Sequence, residues 1–197
     1  MKTHIYASLT ALALFCTAHA YAQDDQRAIK PRAQATVIND ASLSSDQTES
    51  DHDFTCGAEN TGTSGYVIVD RKHVGDENKP TNYLCAKVTQ FVVLGPPTDE
   101  ELINNEPDDG NRVICPDNKV LTGRKHVGDE NDTEVLRCAT LKDDWDNDMQ
   151  VIHNDNWSAP VSEHNHNYTC PANTVMVGKY HKGDEEGNTE YLCGQLW

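Results

Sequence analysis

His73-Val-Gly-Asp-Glu-Asn78, His126-Val-Gly-Asp-Glu-Asn131 and His181-Lys-Gly-Asp-Glu-Glu186 share a His-x-Gly-Asp-Glu core. Their histidines stand 53 and 55 residues apart, and a cysteine follows each by twelve positions: Cys85, Cys138 and Cys193. A period of that length marks a repeat architecture, in which one supersecondary unit is built several times and stacked. Working outward from the motif gives three units, 36–86, 87–139 and 140–197, each with a variable acidic first half and a similar second half. The first and third units also echo each other earlier, in Asp51-His-Asp-Phe-Thr-Cys56 and Asn165-His-Asn-Tyr-Thr-Cys170.

The second half of each unit reads as a β-hairpin. Val67-Ile-Val-Asp-Arg-Lys-His73, Val120-Leu-Thr-Gly-Arg-Lys-His126 and Thr174-Val-Met-Val-Gly-Lys-Tyr-His181 are rich in strand formers. Each run leads into a stretch dense in Gly, Asp and Asn, and strand character then resumes toward the cysteine. Gly75, Gly128 and Gly183 permit the tight turn. Along the returning strand, Thr81 and Tyr83, like Thr189 and Tyr191, fall on one face by the two-residue period. The second unit departs at this point, with Leu136 where the others carry tyrosine. Its first half also differs: Phe91-Val-Val-Leu94 is followed by a Pro/Asp/Asn-rich stretch, Gly95 to Asn111, expected to be an exposed loop.

The N-terminal residues 1–22 read as an export signal, with Lys2, an apolar run from Ile5 to Cys16, and Ala20-Tyr21-Ala22 as the cleavage site. The apolar run is too short to span a bilayer, so the expected location is secreted or periplasmic, with no membrane span. Residues 23–35 read as a flexible leader, and 36–197 as a single domain. Removing the signal leaves six cysteines, an even number in an exported chain, which points to disulfides. The repeat selects Cys56–Cys85, Cys115–Cys138 and Cys170–Cys193. No Cys-x-x-Cys pair favours zinc.

The expected fold is all-β: three disulfide-stapled repeats, each containing a hairpin, around a pseudo-threefold axis, trefoil- or prism-like, with a short linear stack as the alternative. A unit of about 55 residues this rich in carboxylates buries too little alone, so the units should share one core.

The full chain has 16 basic and 32 acidic residues, a net charge of −16. Loss of Lys2 with the signal leaves 15 against 32, a net charge of −17. Such a field repels nucleic acid and anionic membranes and favours neutral partners or cations.

Two readings of the motif follow. In the structural one, the same turn is simply built three times, with Asp capping local N–H groups. In the functional one, recurrent carboxylates, amides and an aromatic ring form shallow sugar sites that gain by multivalency. The candidate ligand residues are His73, Asp76, Glu77, Asn78, Thr81 and Tyr83 in the first unit, with His126, Asp129, Glu130 and Asn131 in the second. The third supplies His181, Asp184, Glu185, Asn188, Thr189 and Tyr191. The partner would be an extracellular glycan or surface polysaccharide. No cofactor is called for, although calcium is the cation such oxygen-rich loops would take. Catalysis is disfavoured: three near-equal copies do not make one asymmetric active site, and no Gly-x-Ser-x-Gly elbow occurs. The plan resembles repeat lectins of the trefoil or prism type in architecture. None of their sugar-binding motifs appears, so no ligand residue is carried over.

Overall fold

The computed structural model describes residues 37–57, 66–76, 78–88, 101–105, 110, 112–129, 132, 134–142, 147–183 and 186–197. The expected signal and leader lie outside them. The described residues are all-β, without a helix. Strands β1 (Val37–Leu43), β2 (Gln47–Thr48), β3 (Asp51–Thr55), β4 (Tyr66–Val74) and β5 (Pro80–Val88) come first. They are followed by β6 (Glu101–Asn105), β7 (Arg112–Ile114), β8 (Lys119–Val127) and β9 (Glu134–Thr140). The last five are β10 (Val151–Ile152), β11 (Val161–Ser162), β12 (Asn165–Thr169), β13 (Thr174–Lys182) and β14 (Asn188–Leu196).

The three expected hairpins are β4–β5, β8–β9 and β13–β14, and their registers coincide. His73 faces Thr81, His126 faces Glu134 and His181 faces Thr189. Each ladder shifts by one residue at the same place, between Ile68 and Asp70, Leu121 and Gly123, and Met176 and Gly178. A bulge of this kind frees a backbone carbonyl that needs a donor. The donor is a cysteine N–H in all three cases: Cys170 to Val69, Cys56 to Thr122 and Cys115 to Val177, each at 2.8 Å.

Those bonds cross between units. Strand β3 precedes the first hairpin but pairs with β8 of the second; β7 precedes the second but pairs with β13 of the third; β12 precedes the third but pairs with β4 of the first. The exchange closes on itself. Each disulfide then ties a lent strand back to its own hairpin: Cys56–Cys85, Cys115–Cys138 and Cys170–Cys193 are bonded, as the repeat selects. Three such bridges are the covalent pattern of a chain matured in an oxidising, extracellular-type environment.

One sheet runs β12-β4-β5-β2-β3-β8-β9-β6, with β1 also on β5; the other runs β10-β14-β13-β7, with β11 also on β14. Residues 101–105 correct the expectation of a loop from Gly95 to Asn111. They form β6, with Leu102 facing Arg137 and Asn105 facing Glu134. An open edge of β9 offers unpaired N–H and C=O groups, and a short segment with any strand propensity is drawn onto it.

The strands β4, β8 and β13 pack against one another in pairs. Val67, Val120 and Val175 occupy equivalent places on them, are fully buried, and belong to one apolar cluster with Val69, Val177, Leu192 and Leu196. A second cluster gathers the disulfides with Ile68, Leu121, Met176, Tyr83, Leu136 and Tyr191.

Candidate functional site

The motif turns toward the interior with its histidine, while Asp76 and Asp129 of the first two copies are exposed. His73, His126 and His181 are buried. Through Nε2 they donate to the carbonyl oxygens of Gly75 at 2.8 Å, Asp129 at 2.9 Å and Gly183 at 2.7 Å. The imidazole therefore clamps its own turn. The clamped turn requires a glycine: Gly75, Gly128 and Gly183 have φ of 117°, 116° and 102°, in the region that a β-carbon disfavours. Inside the second turn the Asp129 N–H donates to Asp132 at 2.8 Å, and in the first the Asn78 N–H donates to Asp76 at 3.2 Å.

The remaining expected ligand residues separate by face. Thr81, Tyr83, Thr189 and Tyr191 are buried, on the same face as the histidines. Asp76, Asn78, Asp129 and Asn188 are exposed. Glu77, Glu130, Asn131, Asp184 and Glu185 lie outside the described residues.

Behind the histidines is a set of buried ions that the motif alone does not disclose. Arg71, Arg124 and Lys179 each stand two residues before a motif histidine, so the strand period puts them on the same inward face. Three carboxylates answer them. Glu49 lies 2.9 Å from Arg71 and 2.5 Å from Arg124; Glu134 lies 2.5 Å from Arg124 and 2.9 Å from Lys179; Glu163 lies 2.7 Å from Arg71. Glu163 also feels the Lys179 charge, so acids and bases alternate around a circle with no net charge.

Burial by itself would push the Glu49 and Glu163 carboxyls up. The cations outweigh it: Arg124 and Arg71 hold Glu49, and Arg71 and Lys179 hold Glu163, well below the usual carboxylate range. Burial pulls the Lys179 ammonium down despite Glu134.

Two further histidines brace the guanidiniums. His52 Nδ1 donates to the Thr48 carbonyl at 2.9 Å, leaving Nε2 to accept from the Tyr83 hydroxyl at 2.9 Å. His166 repeats this, with Nδ1 on the Ser162 carbonyl at 2.9 Å and Nε2 on the Tyr191 hydroxyl at 2.7 Å. Arg124 reaches Tyr83 at 3.2 Å, and Arg71 reaches Tyr191 at 2.9 Å. Burial, and next the neighbouring arginine, lower both histidines from 6.5 to about 4.

Stacked rings cover each assembly, Phe54 on Tyr83 at 4.6 Å and Tyr168 on Tyr191 at 4.8 Å. The second unit replaces this pair by buried Val113 and Leu136. Lys179 in the third hairpin takes the place held by Arg71 and Arg124 in the other two, a single ammonium and not an arginine fork.

On the outside, a cleft of about 310 Å³ opens beside the first hairpin, lined by Asp46, Lys72, Val74, Pro80 and Asn82. The Asn82 amide donates to Asp46 at 2.8 Å. Among the described residues, no three His, Cys, Asp or Glu side chains are grouped so as to hold a metal ion. No helix among them is long and apolar enough to cross a membrane.

The inward cations, Glu49, Glu134, Glu163, His52 and His166 are the residues that sequence reasoning missed. Their signal was present: a base at His−2 in every copy, and the shared Asp/Asn-His pair of the first and third echoes. No protein-family model, curated protein or solved structure matches this chain.

Proposed function

We propose that this is an exported, non-catalytic binding module whose ligand is a neutral saccharide, carried on three repeats arranged about a pseudo-threefold axis in the manner of a trefoil or prism. The coincident hairpin registers and the closed exchange of β3, β7 and β12 support that arrangement. An N-terminal signal and three disulfides suit export.

The observation that carries the binding reading is the division of the motif. Its histidine, threonine and tyrosine positions are turned inward, where the histidines bond to their own turns and the tyrosines to the ion circle. Asp76, Asn78, Asp129 and Asn188 of the motif are exposed, and the Asp46–Asn82 cleft opens beside the first of its hairpins. Paired carboxylate and amide groups accept from and donate to sugar hydroxyls, and Val74 and Pro80 offer the cleft an apolar wall. A strongly acidic protein selects uncharged sugars over acidic ones. The inward residues thus serve the fold, and the tips serve the ligand.

A glycan array probed with the chain lacking residues 1–22, in calcium and again in chelator, tests this. Retention on a defined group of neutral glycans is expected; an array silent under both conditions overturns the proposal.

A further inference from the structure

The three hairpins agree inside and differ outside. On the outward face, the residue after each buried cation is flanked across the ladder by one residue from the lent strand and one from the returning strand. Lys72 lies between Asn167 and Asn82, and Lys125 between Asp53 and Val135. The third hairpin breaks the pattern: Tyr180 lies between Arg112 and Glu190. A lysine has become an aromatic ring, and an acid or amide has become an arginine.

A second ring joins them. Trp157 enters from the segment before β11, bridges to Leu192, and lies over Gly178, where a β-carbon would stand 3.3 Å from its ring. The Arg112 guanidinium carbon lies 5.0 Å from the Trp157 ring and 5.3 Å from that of Tyr180. Its Nη2 meets Glu190 at 3.1 Å, yet the side chain remains 53% exposed. An arginine held by two rings and a carboxylate while half in solvent is ordered before any ligand arrives, which lowers the entropic cost of binding.

We propose that the Arg112–Trp157–Tyr180–Glu190 face is a saccharide-binding site, separate from the cleft of the first hairpin. The inference rests on the carbohydrate reading above and names a principal site for it. Arg112 has N–H donors beyond the one that meets Glu190, and these serve hydroxyl oxygens of the sugar. Glu190 accepts from an adjacent hydroxyl, and the C–H face of the sugar lies on the exposed rims of the rings. A neutral sugar fits better than an acidic one, since the chain carries a net charge of −16.

Retention on immobilised neutral oligosaccharides built from glucose, galactose, mannose or N-acetylglucosamine tests the site. The variants are Arg112→Ala, Arg112→Lys, Trp157→Ala and, at the equivalent outward position of the second hairpin, Lys125→Ala, each checked by its melting curve. We expect Arg112→Ala and Trp157→Ala to bind about tenfold more weakly or worse, Arg112→Lys to fall between, and Lys125→Ala to stay within about twofold. If Trp157→Ala unfolds, Arg112→Ala on its half-exposed position decides alone. Wild-type retention that survives Arg112→Ala within about twofold overturns this site and leaves the carbohydrate reading standing. Absence of wild-type retention on every oligosaccharide overturns both.

Discussion

Glu49→Gln is the sharpest test of the buried ion circle. The carboxylate is 1% exposed and serves two guanidiniums, Arg71 at 2.9 Å and Arg124 at 2.5 Å. Glutamine keeps the volume, removes the charge and turns one acceptor oxygen into an amide donor facing a guanidinium. Arg71, Arg124 and Lys179 would then face Glu134 and Glu163 alone, leaving one uncompensated positive charge in the interior. Removing one partner of a buried pair costs about 3–5 kcal/mol, because the orphaned charge stays desolvated. That is a large share of the about 5–15 kcal/mol that holds a typical domain together. Urea denaturation at pH 7 with the disulfides intact measures it: the midpoint should fall with an unchanged slope. The double variant Glu49→Gln/Arg124→Met restores neutrality, and its loss should be smaller than the sum of the two single losses by about 0.5–3 kcal/mol. A single-variant loss below about 1 kcal/mol, the worth of an exposed pair, would refute the idea that these charges are buried and interdependent.

Two further outcomes follow from the same geometry. His52 and His166 are held neutral, their folded values lowered from 6.5 to about 4, so the unfolded chain takes up protons first on acidification. Stability supplied by their neutrality is complete above pH 6.5 and falls as pH drops toward 4, by roughly 3 kcal/mol for each histidine, before Glu49 and Glu163 add their own loss at lower pH. A urea series from pH 7 to 4 checks this, and a flat profile there, or one not flattened by His52→Gln, contradicts it. For the disulfides, Cys115→Ser/Cys138→Ser opens a bridge between residues 23 apart and should cost about 3.4 kcal/mol by the chain-entropy relation. Calorimetry of the variant against wild type reads the loss, and an unchanged melting temperature would show that β7 is held to its hairpin without the bridge.

The features legible in the sequence are those written locally and repeated. Gly75, Gly128 and Gly183 mark positions needing positive φ, the alternation of Thr81 with Tyr83 marks a strand face, and equal His-to-Cys spacing gives the disulfide pairing. Each rests on neighbours a few residues away, or on a copy one period along. The motif histidine was legible as important but not in its orientation, because the face it occupies depends on the register His73–Thr81, and a register slip of one residue turns every side chain over. The strand at 101–105 was not legible, since an edge partner can recruit a segment of modest propensity.

The interior was decided by tertiary structure. Arg71 and Glu163 are 92 residues apart in the chain, and Arg124 and Glu49 are 75 apart. Read alone, each of these side chains belongs on the surface, where charged residues are ordinarily found. Only when β12 is lent to β4 and β3 to β8 does each carboxylate arrive beside a guanidinium, and burial becomes tolerable because the opposite charge is already there. The sequence by itself determined three stapled hairpins and their turns. That their bases and acids would meet in one closed circle followed from the exchange of strands, since long-range pairing of charge has no periodicity for a sequence to display.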